Sequence, residues 1–422
     1  MIILSGMTTK QLKQVRSRLD DFIADLLKSI GRSERRQWAA LYVEGLLSEI
    51  ERKTAAGIAS RFPQGNIQAV QQMLQGSPWD FAPVRKALTC KALAEMRPVE
   101  VCIIDDTAFP KKGRDSVGVA RQYCGTHGKV ENCQVAVSLH YANEQASFPM
   151  DWALYLPENW IDDPERCRKA GVPANTSFKR KWELALELVD STLEQGIDLG
   201  VITADASYGS VTEFRDGLMK LHLTFCVGVD NKLVYWREPT LRQSVPYRGR
   251  GPRPLAHYTP AKPPETASQI ADTLPDEAWS EIVYRQGVKR PLKASFAALR
   301  VQPAHGYHRN GPEQPMLWLL IQRTPDKETP YKFYLSNMTE SVSLSQLVRV
   351  TMLRWRIEMD YQTLKGQVGL DHYEGRSWIG WHHHVTLTMM AFVFLLLERL
   401  RDSFSPSAIT DDPTFDPESY SG

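Results

Sequence analysis

Two short apolar segments that each end in aspartate constrain the fold of this chain more than any other feature. The first is Val99-Glu-Val-Cys-Ile-Ile-Asp105, which is followed directly by Asp106, and the second is Leu199-Gly-Val-Ile-Thr-Ala-Asp205. Short apolar runs bounded by turn residues are typical of strands that are buried on both faces of a sheet. We therefore expect two buried strands that carry acidic side chains where they end.

The segments around these two strands predict a particular order of elements. Further strands are expected at residues 134–141, 147–156 and 224–229, and helices at residues 181–195 and 211–221. Three strands, a helix, a strand, a helix and a strand is the order of a ribonuclease-H-like fold. The sequence therefore predicts an α/β protein with a ribonuclease-H-like catalytic core.

The rest of the chain predicts domains on either side of this core. The first 95 residues have apolar side chains at helical spacing with Lys and Arg between them, which fits a solvated helix face and a DNA-contacting face equally well. Residues 231–338 are rich in Pro, Gly and Arg and contain several short strand patterns. The expected domains are a helical N-terminal DNA-binding domain at 1–95, the first part of the core at 96–230, a β-rich insertion at 231–338, the second part of the core at 339–402, and a disordered tail at 403–422.

Charge, cysteines and hydropathy set the broad class of the protein. The net charge of +2 neither favours nor excludes DNA as a partner, because phosphate binding depends on clustered cations. The six cysteines show no close pairs typical of a zinc site and no disulfide framework, so a reducing cytosol is expected. The apolar run Val385–Leu397 is shorter than the about 20 residues of a membrane span, which predicts a buried helix and no membrane partner. Beside it, His382–His384 are expected to be packing or polar-cap residues.

The aspartates at the two strand ends are candidate metal ligands. Neighbouring strands of a ribonuclease-H-like sheet would bring Asp105 or Asp106 close to Asp205, although each could merely cap a strand or helix. Phosphodiester chemistry with two divalent cations needs a few converging carboxylates, and Mg²⁺ prefers oxygen ligands.

A third acidic candidate lies in a predicted helix near the C-terminus. Glu358 is four residues after Arg354 and seven before Lys365, which places all three on one face of a continuous helix. The alternative is a surface Arg–Glu pair, which contributes only a few tenths of a kcal/mol. Asp360 is a rival carboxylate on a different face.

Three separated motifs resemble the DDE-type transposases of bacterial insertion sequences. They are Ile104-Asp-Asp-Thr-Ala-Phe-Pro-Lys-Lys-Gly113, Ser116-Val-Gly-Val-Ala-Arg-Gln-Tyr-Cys-Gly125 and Ala204-Asp-Ala-Ser-Tyr-Gly209. The predicted helix also resembles the Tyr-x2-Arg-x3-Glu-x6-Lys signature of that group, with Thr351 in place of the tyrosine.

The resemblance implies a site and a cofactor. Asp106, Asp205 and Glu358 would bind Mg²⁺ or Mn²⁺, two ions in all, with Asp105 as the alternative first aspartate; Asp106 is preferred because the catalytic aspartate of the family precedes Thr. In this subgroup the insertion supports a hairpin route in which an aromatic stacks on a flipped base, and Trp236 is the candidate. The residues expected to contact DNA are Lys111, Lys112, Arg121, Trp236, Arg248, Arg250, Arg354 and Lys365.

The implied function is cut-and-paste transposition. The partners would be double-stranded DNA, namely the terminal inverted repeats of the element and target DNA, bound by a homodimer in the bacterial cytoplasm and its nucleoid. Two alternatives stay open: a domesticated DNA-binding protein that does not cut, although this chain keeps all three carboxylates, and a ribonuclease-H-like nuclease that cuts without strand transfer.

Overall fold

The fold is described by a computed structural model that covers residues 8–96, 99–240, 242–243, 249, 257–258, 262–286, 291–305, 314–325 and 330–401. The chain forms two compact units. The first unit contains Met1–Val99, Ile104–Asp198 and Trp355–Gly422, and the second contains Glu100–Ile103 and Leu199–Arg354. The expected disordered tail lies outside the described residues.

The N-terminal segment of the first unit is helical, as its apolar spacing predicts. Its helices are α1 (Thr9–Leu26), α2 (Ser33–Leu46), α3 (Ala55–Arg61), α4 (Ile67–Gln75) and α5 (Ala82–Glu95). Thr8 begins α1 with a capping box that includes Gln11, so the first turn has partners for its backbone donors.

Strands and further helices of the first unit follow. They are β1 (Val101–Pro110), β2 (Ala120–Cys124), β3 (Lys129–Ala142), β4 (Ser147–Leu154), α6 (Glu158–Ile161), α7 (Pro164–Ala170) and α8 (Lys181–Glu194). In the sheet, β3 lies beside β1 and pairs antiparallel with both β2 and β4. The hairpin strand β2 was missing from the sequence prediction, because its pattern is short and half exposed.

The second unit is built on a sheet that the predicted insertion extends. Parallel strands β5 and β6 are followed outward by antiparallel strands, in the order β5-β6-β14-β13-β12-β7-β10. The elements are β5 (Val201–Ala204), α9 (Ala206–Gly209), α10 (Thr212–Lys220), β6 (Thr224–Val229), β7 (Val234–Trp236), β8 (Arg242–Gln243), β9 (His257–Tyr258), β10 (Glu265–Thr266), α11 (Ala267–Asp272), β11 (Ser280–Gln286), β12 (Pro291–Pro303), β13 (Leu317–Arg323), β14 (Tyr331–Ser336) and α12 (Leu344–Met352). The mixed α/β architecture confirms the predicted fold class.

The prediction of one continuous helix as far as Lys365 is wrong in detail. A 3₁₀ turn, Leu353–Trp355, separates α12 from α13 (Arg356–Thr363), and a π-helical segment, Leu364–Val368, follows α13. Because 3₁₀ and π turns do not have 3.6 residues per turn, spacings of four and seven residues no longer place three side chains on one face.

The C-terminal helix α14 (Trp378–Arg401) forms the core of the first unit. It is longer than predicted, and it is long and apolar enough to cross a membrane by composition alone. Within the first unit, however, 89% of its apolar window is buried, and α2, α4 and α5 pack on it. The prediction of a buried helix is confirmed.

Candidate active site

The sequence suggested that the first aspartate pair stands at the end of a strand, but both residues lie within β1. Thr107, Ala108 and Phe109 continue the strand and are buried, which keeps the backbone paired as far as Pro110. Asp105 and Asp106 are half-buried neighbours, and strand geometry points their side chains to opposite faces. The Asp106 N–H donates to Asp105 Oδ1 at 2.8 Å.

Lys181 is a partner of Asp106 that sequence reasoning missed. Its Nζ lies 2.6 Å from Asp106 Oδ2, and the two side chains are 36% and 20% exposed. Lys181 is the first residue of α8, and no local pattern connects it to a strand so far back in the chain. The contact pairs the Asp106 carboxylate with an ammonium group.

Lys365 lies against the same strand at Ala108 and Phe109, beyond Asp106 in sequence. Its Nζ donates to the Ala108 carbonyl at 2.9 Å and to Thr126 Oγ1 at 3.0 Å, and it lies 5.4 Å from the centre of the Phe109 ring. Burial lowers the pKa of the Lys365 ammonium below its usual range. The π-helical segment therefore anchors to β1 through this lysine.

Glu358 lies in the first turn of α13, in the same unit as Asp106, and is half-buried. Its rival Asp360 is buried: Oδ2 lies 2.9 Å from His140 Nδ1, and Oδ1 accepts from Ser147 Oγ at 2.7 Å. These contacts give Asp360 a structural role that holds α13 against β3 and β4.

Asp205 lies in the second unit, where it follows β5 and caps α9. Its Oδ1 accepts from Ser207 N at 3.0 Å, from Ser207 Oγ at 2.6 Å and from Tyr208 N at 3.4 Å. The capping role weighed in the sequence is therefore present. The strand β5 begins with Val201 N donating to Glu100 O at 3.0 Å, which aligns it with the start of β1 inside this unit.

A close backbone approach holds the turn after Asp205. A Cβ atom on Gly209 would lie 2.0 Å from the Gly228 carbonyl oxygen, and one on Gly228 would lie 2.9 Å from the Ala206 nitrogen. Only glycine at both positions lets α9 lie directly on β6.

The other two signature positions belong to α12 and the 3₁₀ turn of the second unit. Thr351, which replaces the tyrosine of the signature, is buried; its Oγ1 donates to Leu347 O at 2.6 Å and lies 2.8 Å from Cys226 Sγ. Arg354 is half-buried and near Tyr334, whose phenol pKa is raised by burial and lowered in small part by this guanidinium.

The residues expected to contact DNA differ in how far their side chains are exposed. Lys112 and Arg121 are exposed. Lys111 instead donates to the Tyr373 carbonyl at 2.5 Å, and burial lowers its pKa to about 8. Trp236 is only 5% exposed in β7, so its ring cannot stack on a base unless the strand moves. Arg248 and Arg250 lie outside the described residues.

The three histidines of α14 are packing residues, as expected. His383 stacks on Trp79 with ring centroids 3.7 Å apart, and His382 stacks on Phe81 at 4.3 Å. His384 Nε2 donates to Leu370 O at 3.0 Å, and Tyr42 donates to its Nδ1 at 2.9 Å.

A second cluster of ligand-type side chains was overlooked in the sequence. The ligand atoms of Cys124, His127 and Glu131 all lie within 4.8 Å of one another, the one such group among the described residues. The signal was the spacing Cys-x2-His-x3-Glu across a turn, which a search for paired cysteines does not find. All six cysteines are free thiols.

The sequence matches one protein family and is similar to one curated protein. The sequence model of the DDE superfamily endonucleases matches residues 25–291, well over half of the chain. The chain is also similar to a probable transposase for insertion sequence element IS701 from Microchaete diplosiphon, with 30% identity over 207 residues. That alignment covers 48% of this chain and 50% of the relative, so it spans about half the length of each.

Proposed function

This chain belongs to the DDE superfamily endonucleases, and from that premise we propose that it is the transposase of an insertion sequence, which cuts the ends of the element and joins them to target DNA. The observation that carries the proposal is the alignment of β1 with β5 at the bond from Val201 N to Glu100 O. Asp106 lies further along β1 and Asp205 directly follows β5, which supports both as candidate metal ligands.

Asp106, Asp205 and Glu358 are the proposed metal ligands. Their donors are all carboxylate oxygens, which suits Mg²⁺ or Mn²⁺ rather than a softer ion. Asp106 already binds a cation, the Lys181 ammonium, at 2.6 Å. Among the described residues, the hydrogen bonds to the Asp205 side chain end on Oδ1, and we assign Oδ2 to the metal. When bound, a pair of divalent ions would activate a water or a 3′-hydroxyl and stabilise the leaving oxygen.

The residues of the chain itself supply orientation and charge. Lys365, fixed against β1 by Ala108 O and Thr126 Oγ1, would bring a cation to the phosphate beside Asp106. Lys112 and Arg121 would contact backbone phosphates, since their side chains are exposed in the same unit. Arg354 would contact a phosphate from the 3₁₀ turn.

The proposed partners follow from the reaction. Joining two element ends to one target requires both ends in one complex, so we propose a homodimer on double-stranded DNA carrying the terminal inverted repeats, acting in the bacterial cytoplasm at the nucleoid. A hairpin intermediate is a separate proposal, which the buried Trp236 does not support. Analysis of cleaved element ends on a denaturing gel tests for it.

Replacing Glu358 with Gln tests the proposal. Cleavage of the terminal repeats in Mg²⁺ is expected to fall by about 1,000-fold or more, because a lost ligand removes several kcal/mol of transition-state stabilisation. DNA affinity in a gel-shift assay should stay close to that of the native protein. The control is Glu374→Gln, whose carboxylate forms an exposed pair with Arg52.

Each outcome of this assay has a defined meaning. Full activity in Glu358→Gln contradicts the assignment. A native protein that binds the repeats but does not cut them in Mg²⁺ or Mn²⁺ is a DNA-binding protein only. Cleavage without joining of a pre-cut end identifies a nuclease that lacks strand transfer.

A further inference from the structure

The turn between β2 and β3 carries the Cys124, His127 and Glu131 cluster, here called the hairpin cluster. Cys124 ends β2 and is buried, His127 lies in the turn with its side chain 46% exposed, and Glu131 lies on β3 at 22% exposed. The cluster belongs entirely to the first unit and shares no residue with the proposed cleavage site.

Local geometry brings the three side chains together. His127 N donates to Cys124 O at 3.0 Å, and Gly128 takes a left-handed φ of 62°, which closes the turn tightly. Cys124 pairs with Lys129 in the strand register and Gln122 pairs with Glu131, so the thiol and the carboxylate share one face of the hairpin. His127 Nδ1 is in hydrogen-bond contact with Glu131 Oε1.

The donor set is one sulfur, one imidazole nitrogen and one carboxylate oxygen. Thiolate and imidazole favour Zn²⁺ over Mg²⁺, which prefers oxygen ligands only. Zinc bonds of about 2.0–2.3 Å to such donors set the donor atoms of a tetrahedral site roughly 3.3–3.8 Å apart. Ligand atoms already within 4.8 Å of one another reach that spacing with small side-chain movements.

Without a metal, these residues gain little from their arrangement. The contact between His127 and Glu131 is close to solvent and contributes little to stability. The buried thiol of Cys124 meanwhile lies against the carboxylate of Glu131, a contact that a bound divalent cation would stabilise.

We propose that Cys124, His127 and Glu131 bind one Zn²⁺ ion, with water at the fourth position on the exposed side of His127. Such a site would fix the turn that contains Thr126. Thr126 Oγ1 accepts from Lys365 at 3.0 Å and donates to Ala108 O at 3.1 Å. The ion would therefore hold the contact between the β2–β3 turn, β1 and the lysine of the signature.

Metal binding by the full-length protein tests the site. The protein is stripped with a chelator, and Zn²⁺ and Co²⁺ are then titrated in the absence of DNA and Mg²⁺. We expect one tight equivalent of Zn²⁺ per chain, and a Co²⁺ spectrum with a thiolate charge-transfer band. Circular dichroism and the unfolding midpoint confirm that each variant is folded.

Two variants and one control decide the result. His127→Gln, at an exposed turn position, should weaken Zn²⁺ affinity by about 100-fold or more, since even losing the hydrogen-bond partner of a ligand costs 10- to 100-fold. Cys124→Ser should abolish the charge-transfer band. The control Cys90→Ser, which removes an exposed thiol elsewhere, should leave both unchanged.

Other outcomes overturn the proposal. They are Zn²⁺ binding that is no tighter than weak surface association, binding unaffected by His127→Gln, and binding lost in Glu358→Gln but kept in Cys124→Ser. The last result would place the ion at the proposed cleavage site. Because the readout is metal binding, it is independent of whether the chain cuts DNA.

Discussion

Some side-chain positions can be predicted from the neighbouring residues in the sequence. Others become known only from the folded structure. The position of Asp205 directly after a strand could be predicted, because an apolar segment leads into it and a glycine-containing turn follows it. Lys181 could not, since its contact with Asp106 depends on where α8 begins relative to β1. Asp360 could be set aside as a ligand only once its bonds to His140 and Ser147 were known.

Removing the cation beside Asp106 should strengthen metal binding there. In Lys181→Gln, the Mg²⁺ concentration that gives half-maximal cleavage is expected to fall by about threefold or more, because the ammonium competes with the metal for the same carboxylate. The measurement is the cleavage rate of terminal-repeat DNA across a Mg²⁺ titration.

Lys179→Gln is the matched control, since its ammonium pairs with Glu187 at 2.5 Å. An unchanged or higher Mg²⁺ requirement in Lys181→Gln, with Lys179→Gln like the native protein, would show that Lys181 does not compete with the ion.

At the scale of elements, helices and strands with a strong apolar periodicity were predicted well. Segments with irregular backbone were not. The strand Thr224–Val229 and the helix Lys181–Glu194 fall almost where the apolar pattern placed them. The 3₁₀ turn and the π-helical segment around α13 have no sequence signature, so a continuous helix was predicted across them. The strand β11 was missed for a related reason: it is half exposed and contains a bulge between Val283 and Arg285.

The contact of α9 with β6 should be intolerant of any side chain at Gly209. Gly209→Ala is expected to lower the free energy of unfolding by about 2 kcal/mol or more, because its Cβ would meet the Gly228 carbonyl and Val227. Urea denaturation followed by circular dichroism measures this.

Gly113→Ala is the control, since a Cβ there meets no atom within 4 Å. Equal stability of the two variants would mean that α9 moves away from β6 at little cost, and that the turn does not hold Asp205 firmly.

At the scale of the whole molecule, the buried histidine His384 of α14 makes the folding stability depend on pH. Burial, with smaller contributions from the nearby Lys111 and His372, lowers the pKa of His384 to about 3. An unfolded histidine has a pKa of about 6.5. The neutral imidazole is therefore favoured in the folded state, and its contribution to stability is full above pH 6.5 and is lost as the pH falls towards 3.

Acidification should therefore destabilise the protein before its carboxylates titrate. We expect the free energy of unfolding to fall by about 2 kcal/mol between pH 7.5 and pH 5 through His384 alone. His384→Gln should reduce this slope, whereas His222→Asn, at an exposed position, should not. The same slope in His384→Gln and the native protein would contradict a neutral, buried His384.

We propose above all that Asp106, Asp205 and Glu358 hold the same pair of divalent ions. A crystal structure of the protein with Mn²⁺ and terminal-repeat DNA tests it most directly, because the anomalous signal locates each ion independently of the fold. The account predicts two Mn²⁺ peaks whose ligands, at about 2 Å, include oxygens of all three carboxylates. Mn²⁺ bound without Glu358, or with the two aspartates in separate sites, would contradict it.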